Sequence, residues 1–168
     1  MFYSTDKEKG MIIKELLKSG IIIRARIQGS SMLPFIKAGD CGVIKSAQWE
    51  EVNIGDIIAY SNNGKNNIIC HRLVRREGSV LIAKGDTLLW GYETIHSGLL
   101  LGKLICIERG RNRISLETKF QRFLASKIAW ISFNLPVLLF IIAYFIESLR
   151  APHLVPIKLI RKIKQYKI

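Results

Sequence analysis

The sequence predicts a mainly β domain with a short helix in front and a hydrophobic helix behind. Three observations carry this. Short apolar runs with strand-like rhythm recur between residues 21 and 116, separated by turn signals. An amphipathic stretch precedes them, and 19 consecutive uncharged residues follow them. The 168-residue chain suits one domain plus an appendage. The expected division is a domain over 1–118, then a hydrophobic segment with a basic tail over 119–168.

The first element is residues 6–19, DKEKGMIIKELLKS, where Met11, Ile12, Leu16 and Leu17 share one helical stripe before Gly20 ends it. In residues 21–27, IIIRARI, the rhythm changes to a period of two. Ile21, Ile23, Ala25 and Ile27 take one face, Ile22, Arg24 and Arg26 the other. Strand-like runs continue at 41–46, 56–60, 67–75, 79–84, 99–108 and 112–116. Asn62-Asn63-Gly64, Glu77-Gly78 and Gly110 separate several of them. A Gly-Asp pair recurs at a strand edge: Gly39-Asp40, Gly55-Asp56 and Gly85-Asp86. There Gly supplies an unusual backbone angle, and Asp can accept from nearby backbone N–H groups. The last element is Ile128 to Ile146, uncharged, with sixteen of 19 residues apolar. At about 1.5 Å per residue such a helix is roughly 28 Å long, near the ~30 Å hydrocarbon core. A membrane-spanning helix is expected. A hairpin pivoting at Pro136 and a buried core helix are the alternatives.

Composition narrows the function classes. With 49% apolar and 23% charged residues and a mean hydropathy of +0.20, the chain is not a disordered one. Its net charge of +13 is uneven: residues 1–118 hold 17 basic and 12 acidic side chains, residues 119–168 hold 9 and 1. A uniformly basic nucleic-acid-binding domain is therefore not expected. Arg72, Arg75, Arg76, Arg109, Arg111 and Arg113 lack the aromatic interleaving of such a surface. Six cations flank the uncharged segment on each side, and the tail IKLIRKIKQYKI suits an anionic lipid surface. The tail is expected on the cytoplasmic side of a plasma membrane and the β domain outside it. Met1 to Gly10 is polar, so no signal peptide is expected there. Cys41, Cys70 and Cys106 are odd in number and widely spaced, which argues against a disulfide framework or a zinc site.

Three stretches can carry chemistry. Gly29-Ser30-Ser31-Met32-Leu33-Pro34 follows a strand, a corner where a hydroxyl and backbone N–H groups can face one point. Ile68-Ile69-Cys70-His71-Arg72-Leu73 places His71 on a strand face with Ile69 and Leu73. Ala83-Lys84-Gly85-Asp86 is the third. Each alone reads as a turn or a packed histidine.

In this order, the Ser-Met-x-Pro box, Gly-Asp, His-Arg and Lys-Gly-Asp resemble the type I signal peptidase family over about residues 20–108. The branch with a His base, found in archaea and the endoplasmic reticulum, is the most similar. The resemblance implies a signal-peptidase-like β core and a membrane-associated serine endopeptidase that removes leader segments from exported polypeptides. Ser31 would be the nucleophile and His71 the general base. Ser30 and Gly29 would serve the turn and the oxyanion, and Met32 and Pro34 would shape the substrate groove. Substrate would add to a strand edge, with small residues before the cut. No metal or organic cofactor is implied. The acid departs from the pattern: where relatives carry a second Asp about six residues past Lys-Gly-Asp, this chain has Tyr92 and Glu93. Asp86 is the expected orienting group, Glu93 the alternative, and an absent third member the last option. The membrane segment also follows the core, where the family commonly has it in front. A maturation peptidase for one small peptide and an inactive leader-binding relative are the rival readings. Self-cleaving repressors share a similar β core, but use Lys as base behind a DNA-binding helix pair.

Overall fold

The computed structural model describes residues 6–62 and 68–150. The basic tail expected over 151–168 and the Asn63-Gly64 part of the expected turn lie outside the described residues. Helix α1 (Asp6–Lys18) is followed by strands β1 (Ile23–Arg26), β2 (Cys41–Lys45), β3 (Ile57–Ser61), β4 (Ile68–Glu77), β5 (Val80–Lys84), β6 (Glu93–His96), β7 (Leu100–Arg109) and β8 (Asn112–Ser115). Helices α2 (Lys119–Asn134) and α3 (Pro136–Arg150) complete it. The mainly β class expected from the sequence is the one observed.

The strands form one antiparallel sheet in the order β1-β2-β7-β3-β4-β5-β6, with β8 paired to β7. Register shifts at Val43/Ile44, Ala59/Tyr60 and Leu73/Arg75 bend the ladder, as bulges do. Strand β3 lies between β4 and β7 and is buried throughout. Ile57 and Ala59 join one apolar cluster with Leu17, Met32, Ile36, Ile44 and Leu104. Ile58 and Tyr60 join the opposite one with Val52, Leu73, Leu81 and Ile95. This two-sided burial is why IIAY is continuously apolar. Strand β6 escaped the sequence reading because ETIH has a single buried residue, Ile95, and no periodicity to show.

The three Gly-Asp pairs share a device that sequence only half suggested. Asp40 accepts the Lys37 N–H and Asp56 the Asn53 N–H, as expected. Each Asp also meets a cation from the sheet: Asp40 meets Arg109, Asp56 meets Lys103 and Asp86 meets Arg72. Arg76 is spent on the Trp49 and Val52 carbonyls. Much of the basic excess of the β domain is thus internal structure.

The uncharged stretch is not one straight helix. α2 and α3 meet at a 113° bend around Leu135. Proline lacks an N–H and disfavours helical geometry in the residue before it; Leu135 accordingly sits at φ −130°, ψ 55°. The expected continuous span is corrected on this point. No single helix among the described residues is long and apolar enough to cross a membrane; α2 with residues 136–146 passes only as a bent pair. The first half of the stretch is partly core. α2 packs on β4, with Ile128, Ala129 and Ser132 buried. Its N-terminus is capped by Thr118, whose hydroxyl accepts the Gln121 N–H.

Gly55 lies against the backbone of α2. Its φ is +101°, and an added Cβ would lie 2.7 Å from the Ala125 carbonyl carbon. Gly55→Ala combines left-handed strain with overlap against helix backbone, and should destabilise the fold by about 2–4 kcal/mol. Thermal unfolding of the variant checks this, with a shift under about 2 °C as the contrary result.

Candidate active site

Two excursions from the sheet bring the chemistry-bearing residues together. The first spans residues 28–39. It is closed at its base where the Ile27 N–H donates to the Asp40 carbonyl and the Gly39 N–H to the Ile27 carbonyl. Gly29, at φ +82°, turns the chain out of the strand. Met32 and Ile36 plug the excursion into the core at 4% and 3% exposure, so the intervening backbone is held from below. The second is the Lys84-Gly85-Asp86-Thr87 turn after β5, every member of which is buried.

The second turn clamps the first. The Thr87 N–H and hydroxyl both donate to the Ser31 carbonyl, at 2.9 and 3.1 Å, and the hydroxyl also reaches the Ser30 carbonyl. Gly85 lies so close that an added Cβ would stand 2.9 Å from the Ser31 Cβ. The Gly of Lys-Gly-Asp is therefore required by proximity to the serine. Lys84 is 5% exposed and donates to the Ser132 carbonyl of α2. Thr87 was missed by sequence reasoning, because a threonine one residue past a turn carries no local signal of a partner 56 positions back.

His71 projects from β4 toward this clamp. Its Nε2 lies 3.1 Å from the Ser31 Oγ. Its Nδ1 lies 3.1 Å from the Tyr60 hydroxyl and 3.7 Å from Glu93 Oε2, a buried oxygen without a hydrogen-bond partner. Burial lowers the His71 pKa to about 4, since desolvation penalises the imidazolium. The ring is then neutral near pH 7 and able to accept a proton. Burial likewise raises the Glu93 carboxyl above its ordinary value. Tyr60 was also missed: which β3 residue shares a face with His71 depends on a pairing register that the sequence does not display.

Asp86 does not sit at His71. Both its oxygens are taken by Arg72, at 2.8 and 2.7 Å, and the same guanidinium donates to the Gly55 carbonyl. The expectation that Asp86 orients the histidine is corrected: it is fully buried in an ion pair with the residue next to His71. Glu93, the alternative acid, is the carboxylate near Nδ1. Of the groove residues, Met32 lines the cleft while Pro34 is buried within its turn and does not. Ser30 is exposed and contributes its carbonyl to the clamp. The Cys70 thiol is pushed up to about 12 by burial and packs on the opposite face of β4, against the cluster of Leu17, Met32 and Ala59, as a protonated, unreactive group.

Ser31 and His71 line a cleft of about 670 Å³, walled also by Ile13 of α1, by Arg24–Ile27 and by Ile68–Cys70. Among the described residues β1 pairs only with β2, and β5 meets β4 only from Arg72 onward. Two strand edges are therefore open along the cleft. A serine hydroxyl facing a neutral imidazole beside such edges can undergo deprotonation and attack a carbonyl of an extended chain. These features define a serine-peptidase β core. The Peptidase S24-like family model matches residues 2–86, and the chain belongs to that family. The family is one of serine peptidases related to the signal peptidases. No curated protein matches the chain at a significant level. The matched region includes Ser31, His71, Arg72 and Asp86, and excludes Glu93 and both C-terminal helices.

The pairing of Asp86 gives a prediction. Asp86→Asn leaves Arg72 buried with half its partner lost and should cost about 3–5 kcal/mol. Turnover per folded molecule should fall no more than ~10-fold, through looser placement of β4 against the Ser31 turn, because Asp86 does not touch His71. Denaturant unfolding and activity corrected for active-site titration separate the two effects. A loss of ~10⁴-fold in fully folded protein, the size seen when a triad's carboxylate is replaced, would return Asp86 to the catalytic set.

Proposed function

We propose that this protein is a membrane-associated serine endopeptidase that removes N-terminal leader segments from exported precursors. The observation that carries the reading is the 3.1 Å approach of Ser31 Oγ to His71 Nε2 in the lining of a cleft with open strand edges. The leader lies extended against Arg24–Ile27 or Ile68–Cys70 and hydrogen-bonds through its backbone, as in β-augmentation. Alternate side chains enter an apolar floor that includes Ile27, Met32, Ile44 and Leu104. Ser31 Oγ attacks the scissile carbonyl as its proton passes to His71 Nε2. The imidazolium then returns that proton to the leaving amine, giving an acyl-enzyme. Water, deprotonated by the same nitrogen, hydrolyses the ester and restores the serine. The oxyanion is met by the Ser31 backbone N–H, helped by the Ser30 hydroxyl, on a turn kept rigid by Thr87.

Support for a bilayer-facing enzyme comes from the C-terminal helices. Trp130, Val137, Leu138, Ile141 and Phe145 are all more than 40% exposed, an apolar surface that a lipid interface would cover. The 113° bend favours a hairpin seated in the membrane over a straight crossing. The plasma membrane, with the β domain outside, is the proposed location. Tethering there raises the effective concentration of leaders held in the same bilayer.

Two predictions follow from the pair. Co-expression with small exported precursors, read by mass spectrometry of mature N-termini, should show cuts after small residues that disappear with Ser31→Ala and His71→Ala. A rate loss of ~10⁴-fold or more is expected for either variant; termini unchanged across all three proteins would overturn the reading. The pH profile follows from burial. The base must be neutral, so kcat/KM should hold down to about pH 5 and fall as pH drops through about 4. Because the folded value lies below the ordinary ~6.5, His71 also withdraws stability as pH falls from about 6.5 to 4. The titratable neighbour is Glu93. An acid limb at 6.5 or above would mean that an ionised Glu93 offsets burial.

A further inference from the structure

The proposed reaction needs His71 in one tautomer, with Nε2 bare and the proton on Nδ1. Something must accept that Nδ1–H. Asp86 is committed to Arg72. Glu93 Oε2, at 3.7 Å, is outside hydrogen-bond range. The Tyr60 hydroxyl, at 3.1 Å, is within it.

The sheet dictates this contact. In the β3–β4 pairing Ile58 stands opposite His71 and Tyr60 opposite Ile69. Tyr60 and His71 are therefore diagonal neighbours on one face, a spacing an aromatic side chain can bridge. Tyr60 is 3% exposed and sits in the cluster with Val52, Leu73 and Leu81. Its ring is tilted 58° to the imidazole, with centroids 6.3 Å apart. The packed ring has little freedom, so its hydroxyl is a fixed point in the second half of the ladder that carries His71.

We propose that Tyr60 is the positioning residue of His71: its hydroxyl oxygen accepts Nδ1–H and so leaves Nε2 as the acceptor for the Ser31 proton. This inference rests on the peptidase reading and deepens it. During attack the Ser31 proton moves to Nε2, Nδ1 keeps its own proton, and Tyr60 neither gains nor loses one. A phenol is a neutral acceptor. It selects the tautomer and holds the ring, as the acid of a triad does, but adds no negative charge beside the imidazolium. Tyr60 thus fills the orienting half of the role for which the sequence offered only carboxylates. Glu93 is left as a nearby carboxyl group.

The test is ¹⁵N NMR of the full chain in micelles with ring-labelled histidine, together with kcat, KM and fluorophosphonate labelling. His71→Gln assigns the His71 signals. Wild type at pH 7 should show His71 neutral and protonated on Nδ1. Tyr60→Phe keeps the ring and removes the acceptor. It should shift His71 toward the Nε2–H tautomer and lower kcat ~10–100-fold, with KM within twofold. That range lies below the ~10⁴-fold loss when a triad's carboxylate is replaced, because only orientation is removed. Glu93→Gln should leave the tautomer unchanged. A wild-type His71 protonated on Nε2 overturns the proposal whether or not Tyr60→Phe folds. So does a Tyr60→Phe protein with unchanged tautomer and kcat. The peptidase reading fails separately, through labelling or cleavage that survives Ser31→Ala, while the spectrum still decides the role of Tyr60.

Discussion

The ion pair between Arg72 and Asp86 is the constraint on which the site depends. Arg72 follows His71 on β4, and Asp86 lies between Gly85 and Thr87 on the turn that holds Ser31. Two hydrogen bonds of 2.8 and 2.7 Å in a fully buried setting therefore fix His71 relative to the turn that holds Ser31. Alternation along the strand points Arg72 away from the face of His71, so the pair locks the geometry from behind the reacting groups. The third donor of the guanidinium, on the Gly55 carbonyl, extends the lock to the seat of α2. A bidentate Arg–carboxylate pair suits this task because it constrains direction as well as distance.

The electrostatics of the site follow from burial. His71 is 8% exposed and its closest partners are hydroxyls: Ser31 on one nitrogen and Tyr60 on the other. Such a ring is neutral over a wide pH range but is a weak base, since nothing in direct contact compensates an imidazolium. Glu93 stands just beyond contact, with one buried oxygen unpartnered.

The C-terminal helices serve the fold and the surface at once. One face of α2 closes the sheet over β4 and receives Lys84, through the Ser132 carbonyl, from the turn that holds Ser31. Beyond the break at Leu135, α3 exposes most of its apolar side chains while burying Leu139 and Ala143. The same segment therefore links an exposed apolar surface to Ser31 through four residues, Lys84 to Thr87.

Local rhythm and turn chemistry made much of this protein legible. Alternation over Ile23–Arg26 marked β1, Gly-Asp pairs marked the strand edges, and the Ser-Met-x-Pro, His-Arg and Lys-Gly-Asp boxes singled out Ser31 and His71, which the fold brings to 3.1 Å. Those signals are local because they arise from backbone angles and side-chain periods within a few residues. The partners of the polar groups were not legible. Asp86 and Glu93 are both acids a short distance past Lys84, and nothing in their neighbourhood says that one meets an arginine and the other approaches the imidazole. Tyr60, Thr87 and the β6 strand were likewise decided by register and by the crossing of two excursions, which pair residues 11 to 57 positions apart. The sequence by itself determined which groups could react and where the chain must turn. Only the tertiary structure decided which buried polar group satisfies which, because that choice is made by desolvation and direction once the sheet has closed.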